Sequence, residues 1–273
     1  MAHESSKKAN KITYLPPDIV PERIQEKPRS NGITMILDRC LGLRTTKDLI
    51  DMAGEYIDHI KLSFGTAALL KKDFLRDKID LVVENDIDIY PGGTLMEIAI
   101  QTSNDVQYIK WVKNCGFTAI EISDGIYKVN RQKRDEAIKR SADCGLKVIT
   151  EVGGKNPEIR ISLKELCDKI GSDLDSGADK VIIEGRESGK NIGIYDSKGG
   201  IKEHKIKAIV EQIGTHLNDI IWEAPRQDQQ ISLIILFGSN INLGNVFPRD
   251  LLGLEALRRG LRYDTLHHFA PQL

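Results

Sequence analysis

From about residue 31 onward one pattern recurs along the chain. A short apolar run rich in β-branched residues is followed by a few small or charged residues, then by a stretch with apolar positions at helical spacing. The apolar runs fall at 33–37, 57–62, 87–90, 118–122, 147–152, 181–183, 220–222 and 233–237, and the helical stretches at 46–54, 72–84, 104–115, 131–144, 162–176, 203–216 and 248–259. Only a short segment at 226–231 joins the last two runs. Asn114-Cys115-Gly116, Asp143-Cys144-Gly145 and Ser176-Gly177 put glycine where a helix ends in a left-handed cap. Strands apolar on both faces, alternating with helices, predict a parallel sheet covered on each side. Eight such units predict an α/β fold closed into a (β/α)8 TIM-type barrel. An open doubly wound sheet would carry a glycine-rich turn after its first strand; here that place reads Asp38-Arg39-Cys40-Leu41-Gly42, so the barrel is favoured. Residues 1–30 hold Pro16, Pro17, Pro21 and Pro28 among charges and no sustained period, and read as an extended, flexible arm; 31–265 form the single barrel domain and 266–273 a tail.

Composition narrows the function. The 273 residues carry 39 Lys plus Arg against 40 Asp plus Glu, for a net charge of −1, so no global positive field exists to bind nucleic acid. No apolar stretch is long enough to span a bilayer, and no apolar leader follows Lys7 and Lys8, so a cytoplasmic protein without membrane partners is expected. A homo-oligomer is a separate expectation that these features do not bear on. The four cysteines, Cys40, Cys115, Cys144 and Cys167, lack zinc or disulfide spacing. His59 lies inside the second run and reads as a core residue, while His267 and His268 read as solvated tail residues.

A barrel places its chemistry at the C-terminal ends of its strands. Those positions are polar throughout: Asp38-Arg39, Lys61 and Ser63, Glu97 behind Tyr90-Pro91-Gly92-Gly93, Glu121 with Ser123-Asp124, Glu151 before Gly153-Gly154-Lys155, Glu184-Gly185-Arg186, Glu223, and Ser239 with Asn242. Glu121, Glu151, Glu184 and Glu223 each terminate an apolar run. Carboxylates gathered at one mouth repel one another unless a metal cation or basic side chains lie among them; pairing with Lys61, Lys155 or Arg186 would merely stiffen the barrel top, while an oxygen-only donor set suits Mg²⁺ better than zinc. Two or more of Asp38, Glu121, Glu151 and Glu184 are therefore expected to hold the metal. The stretch 185–200, with its glycines, Arg186 and Lys190, resembles a P-loop only superficially and reads as a hinged lid that closes on an anion.

The motifs at these strand ends carry a resemblance. LDRCLGL at 37–43, YIDHIKLSFGT at 56–66, YPGGTLMEIA at 90–99, EISDG at 121–125, TEVGGK at 150–155, VIIEGRESGK at 181–190, EAP at 223–225, FGSNINLGN at 237–245 and LRRGLRYDT at 257–265 together resemble the phosphosulfolactate synthase family. The resemblance implies a barrel lyase that adds sulfite to phosphoenolpyruvate with Mg²⁺, giving (2R)-phospho-3-sulfolactate, a precursor in coenzyme M and sulfolactate formation. It implies Lys155 as the catalytic acid. Lys61, Arg186, Lys190, Ser239 and Asn242 are expected to bind the anionic substrates. Departures from the family pattern are Arg39-Cys40, where Lys-Gly is frequent, and Phe64 and Ala67 in place of Trp and Ser. A plant branch, the heat-stress-associated proteins, makes a catalytically diverged stress or scaffold barrel the alternative.

Overall fold

The computed structural model describes residues 20, 22–154 and 161–270. In chain order they form β1 (Thr34–Asp38), α1 (Leu43–Ala53), β2 (His59–Leu62), α2 (Lys72–Val83), β3 (Asp88–Pro91), α3 (Thr94–Gln101), α4 (Asp105–Cys115), β4 (Ala119–Ile122), α5 (Arg131–Asp143) and β5 (Lys147–Val152). There follow α6 (Leu163–Asp175), β6 (Lys180–Ile183), α7 (Glu203–Ile213), β7 (Ile220–Glu223), α8 (Gln227–Phe237), β8 (Leu243–Val246), α9 (Leu251–Arg258) and α10 (Tyr263–Phe269). The eight strands make one sheet in the order β3-β2-β1-β8-β7-β6-β5-β4, with parallel pairing in each described ladder. No ladder joins β3 to β4; the barrel closes there through the Thr118 amide donating to the Ile89 carbonyl at 3.3 Å and the Ile89 amide donating to Thr118 Oγ1 at 3.1 Å.

Two hydrophobic layers follow from the two-residue period of the strands. Ile33, Met35, Tyr90, Ala119, Ile149, Ile182 and Ile221 fill the barrel interior. Their neighbours in sequence, such as Ile36, Ile89, Ile120, Val148, Val181 and Ile220, face outward and pack against the helices.

One strand differs from the sequence expectation. The run 233–237 is the second half of α8, and the eighth strand is the later Leu243–Val246. The run misled because five consecutive apolar residues hide the helical period: Leu233 and Ile234 are buried, but Ile235 is 40% exposed on the outer face of α8. The true strand is short and atypical. A Cβ on Gly244 would lie 2.4 Å from Met35 Cε, and Asn245, at φ 53°, sits where the β1–β8 register shifts. α3 was also unforeseen, since it begins directly behind Gly92-Gly93, which reads as a loop.

The N-terminal segment and the C-terminal end are docked rather than loose where they are described. Buried Arg23 pairs with Glu255 at 2.9 Å and Arg29 with Asp58 at 2.9 Å, tying residues 22–30 across the N-terminal end of the barrel. Of the expected tail, residues 266–269 belong to α10, which carries His267 and His268 and packs on α8 and α9, and 271–273 lie outside the described residues.

Candidate active site

The barrel interior turns from apolar to ionic within one step of the strand period. Ala119, Ile149, Ile182 and Ile221 belong to the interior layer, and the residue two positions on is Glu121, Glu151, Glu184 or Glu223. Spacing by two keeps a side chain on the same face of a strand. All four glutamates thus point inward at the C-terminal mouth, each at most 2% exposed.

Lys61, from β2, rises into this ring. Its Nζ lies 2.8 Å from Glu121 Oε2, 2.9 Å from Glu151 Oε2 and 3.3 Å from Glu223 Oε1. Burial works against the charge on Lys61, but the three carboxylates outweigh it and hold the ammonium's pKa well above its ordinary value. Tyr90, beside it on β3, is pushed the other way from ionisation by burial and by Glu121.

Backbone amides fix the outer oxygens of the ring. The Gly93 amide donates to Glu121 Oε1 at 2.7 Å, the Gly185 amide to Glu223 Oε2 at 2.8 Å, and the Arg186 amide to both Glu184 Oε1 at 2.7 Å and Glu223 Oε2 at 3.0 Å. Gly93 has to be glycine, because a Cβ there would lie 2.3 Å from Ser123 Oγ and 2.8 Å from Glu121 Oε1. Glu151, Glu184 and Glu223 each offer an oxygen within 4.8 Å of the other two. Carboxylates alone at this spacing form a hard-donor set that fits Mg²⁺.

The structure brings together some of the expected residues and separates others. Glu121, Glu151, Glu184 and Lys61 share the mouth. Asp38 does not join the cluster of three glutamates; its Oδ2 pairs with buried Lys78 at 2.5 Å and its Oδ1 accepts from the Leu41 amide at 2.8 Å, which shapes the loop after β1. Ser239 and Asn242 precede β8 instead of following it, so they lie at the N-terminal end of the barrel, away from the mouth. Asn242 is spent there on the Ile33 amide at 3.0 Å and on the carbonyls of Asn218 and Ile220 at 2.8 and 2.9 Å, while the Ser239 carbonyl accepts from buried Arg258. Arg186 and Lys190 present exposed side chains beside the mouth. Lys155 lies outside the described residues.

Two residues gain weight beyond the sequence reading. Glu223 was visible as a strand-terminal glutamate but stood outside the expected ligand set, and it belongs to the cluster. Buried Glu97, on α3, accepts from Ser123 Oγ at 2.5 Å and from the amides of Gly125, Ile126 and Tyr127 at 3.3, 2.8 and 2.8 Å, organising the loop after β4. The segment 185–200, expected as a hinged lid, belongs to a tied arch that runs on to residue 202: Ile192, Ile194 and Tyr195 are buried, Tyr195 forms an antiparallel bridge with Ile201, and the Tyr195 hydroxyl donates to the Glu223 carbonyl at 2.5 Å.

Comparison with known proteins points the same way as these strand-end residues. Residues 22–264 match the family described as (2R)-phospho-3-sulfolactate synthase (ComA). The chain is 40% identical to the phosphosulfolactate synthase of Methanothermobacter thermautotrophicus over 243 residues, covering 88% of this chain and 93% of the relative. It is 40% identical to that of Methanocaldococcus jannaschii over 236 residues, covering 86% and 93%. The Arabidopsis thaliana protein heat-stress-associated 32 is more distant, at 22% identity with 85% and 87% covered. Among solved structures, phosphonopyruvate hydrolase in complex with oxalate and Mg²⁺ superposes with a TM-score of 0.54 at 12% identity, covering 88% of this chain and 90% of that one, a likeness of fold. No helix among the described residues is long and apolar enough to cross a membrane. With the barrel, its mouth and the near full-length match in hand, the chain belongs to the phosphosulfolactate synthase family of carbon–sulfur bond-forming, lyase-type enzymes.

Proposed function

We propose that this chain catalyses the Mg²⁺-dependent addition of sulfite to phosphoenolpyruvate, giving (2R)-phospho-3-sulfolactate. The observation that carries the reading is the convergence of Glu151, Glu184 and Glu223 within 4.8 Å at the barrel mouth, beside a segment bearing Arg186 and Lys190. In this reading the sulfur of sulfite attacks the methylene carbon of phosphoenolpyruvate. A carbon–sulfur bond forms as the π electrons of the double bond move into the substrate carboxylate, and a proton then reaches the former enol carbon. Glu151, Glu184 and Glu223 would hold the metal, which when bound supplies positive charge where the carboxylate gains electron density.

Lys61 serves as the fixed counter-charge shared by Glu121, Glu151 and Glu223. The exposed side chains of Arg186 and Lys190 are assigned to the phosphate and sulfonate groups, for which charge-assisted hydrogen bonds are the strong ones. Lys155 is assigned as the proton donor on the strength of the family pattern, following β5 through Gly153-Gly154. Phosphoenolpyruvate has no ketone, so a Schiff-base role for that lysine is disfavoured.

Incubation of the pure protein with sulfite, phosphoenolpyruvate and Mg²⁺ tests the reading: sulfite-dependent loss of phosphoenolpyruvate is expected, abolished by EDTA and restored by Mg²⁺. No such loss with any divalent metal sinks the proposal, and full turnover by metal-free protein makes the carboxylates structural. Lys155→Ala is expected to lower kcat by about two to four orders of magnitude while substrate binding survives.

A further inference from the structure

The arch over 185–202 has two limbs, and one side chain from outside it touches both. Gln229, in the first turn of α8 and 1% exposed, donates through Nε2 to the Gly189 carbonyl at 2.7 Å and to the Gly199 carbonyl at 2.8 Å. Its Oε1 accepts from the Arg226 amide at 3.3 Å. The terminal amide of Gln229 is thereby shared among three backbone segments. The fit is tight, since a Cβ on Gly189, at φ 58°, would lie 2.5 Å from Gln229 Nε2.

The limb that Gln229 holds at Gly189 begins with Gly185 and Arg186, whose amides fix Glu223 and Glu184. Arg186 makes those contacts with φ at 57°, a left-handed backbone that a non-glycine residue keeps only when its surroundings enforce it. The buried Ile192, Ile194 and Tyr195 anchor the far part of the arch; between Arg186 and Gly189 the other tie is the exposed Arg39–Glu187 pair at 3.6 Å, which water screens, so the buried clamp carries most of the restraint there.

We infer that Gln229 is a positioning residue: by tying Gly189 to Gly199 it holds the Gly185–Arg186 amides in place, and through them the orientation of Glu184 and Glu223 toward the mouth. The effect on turnover rests on the reaction proposed above; the effects on loop order and on divalent-ion binding do not.

Three variants test this. Gln229→Met keeps the volume and removes the donors, Gln229→Glu replaces the donors with a carboxylate facing two carbonyls, and Gly189→Ala breaks the contact from the loop side. Each is compared with the wild type by circular dichroism, amide hydrogen exchange, Mn²⁺ titration of the substrate-free protein, and the sulfite-dependent assay. Expected are a retained barrel signature, exchange at least about tenfold faster over 185–199 with strand protection unchanged, Mn²⁺ affinity weakened about tenfold, and a raised KM for phosphoenolpyruvate. Gln229→Glu should recover as pH falls through its carboxyl's titration, because the protonated acid donates one of the two lost hydrogen bonds; Gln229→Met should not. Wild-type protection over 185–199 in the variants overturns the clamp. Fast exchange with unchanged Mn²⁺ affinity overturns the positioning role. If the wild type consumes no phosphoenolpyruvate, the proposed reaction fails, and the exchange and Mn²⁺ results still decide the role of Gln229.

Discussion

Lys61 is surrounded by three carboxylates at 2.8, 2.9 and 3.3 Å, and its own side chain is 9% exposed. Removing one partner of a buried ionic cluster leaves the rest as uncompensated charge, a larger loss than the attraction itself. Lys61→Met is therefore expected to destabilise the barrel by about 3–5 kcal/mol in urea unfolding at neutral pH. A loss below about 1 kcal/mol would mean that the glutamates find other cations or take up protons. The residue was legible in the sequence as a charge inside an apolar run and as a candidate partner for strand-end glutamates, but which of them it meets was not. Pairing it with Glu121, Glu151 and Glu223 requires the strand order, whereas the identity of those glutamates required only noticing where each apolar run stops.

At the level of elements, α3 and the loop after β4 behave as one unit because Glu97 accepts four hydrogen bonds from that loop. Glu97→Ala strands a hydroxyl and three amides, so a stability loss of about 1–3 kcal/mol is expected. Turnover should fall at least tenfold in kcat/KM, since Ser123 stands next to Gly93 and Glu121. Glu97→Gln, which keeps two acceptor lone pairs, should fall between; equal kinetics for Ala and wild type would remove the loop from the active site. The sequence placed seven of the strands close to their observed positions. It failed at α8 and β8 for one physical reason: five apolar residues in a row carry no period, so a helix that buries Leu233 and Ile234 while leaving Ile235 40% exposed reads like a strand. That single misplacement carried Ser239 and Asn242 to the wrong end of the barrel. Asp38 stands apart from the three-glutamate cluster because its carboxylate pairs with buried Lys78, a contact between β1 and α2 that no local pattern announces.

For the whole molecule, the two ends of the barrel have opposite tasks. The mouth gathers the carboxylates, and the other end is fastened by Arg23–Glu255, Arg29–Asp58 and Arg258, which donates to the carbonyls of Ile241 at 2.8 Å and Ile33 at 3.1 Å. His59 sits toward this fastened end and pairs in register with Met35 and Asp88. Burial lowers its pKa below the ordinary 6.5, against the pull of Asp88 and Asp58, with Lys147 and Lys180 adding to the lowering. The folded state therefore binds the proton less readily than the unfolded chain, and global stability should fall as pH drops through 6.5 and toward the folded-state value. His59→Gln should flatten that part of the stability-versus-pH curve, measured by denaturant unfolding at several pH values; an unchanged slope would assign it to other groups.

The interrupted pairing between β3 and β4 gives the barrel a split like that of a spring clip. Seven strand-to-strand joints resist a change in girth, and the eighth rests on one amide pair helped by a threonine hydroxyl. The split lies beside Gly93 and Glu121, the one acidic wall of the mouth that belongs to β4 and is tied to the neighbouring segment by the Gly93 amide. The split therefore falls between Lys61 and Gly93 on one side and Glu121 on the other, and side-chain bonds to Glu121 bridge it there, whereas Glu151, Glu184 and Glu223 stand at the ends of strands laddered directly to one another.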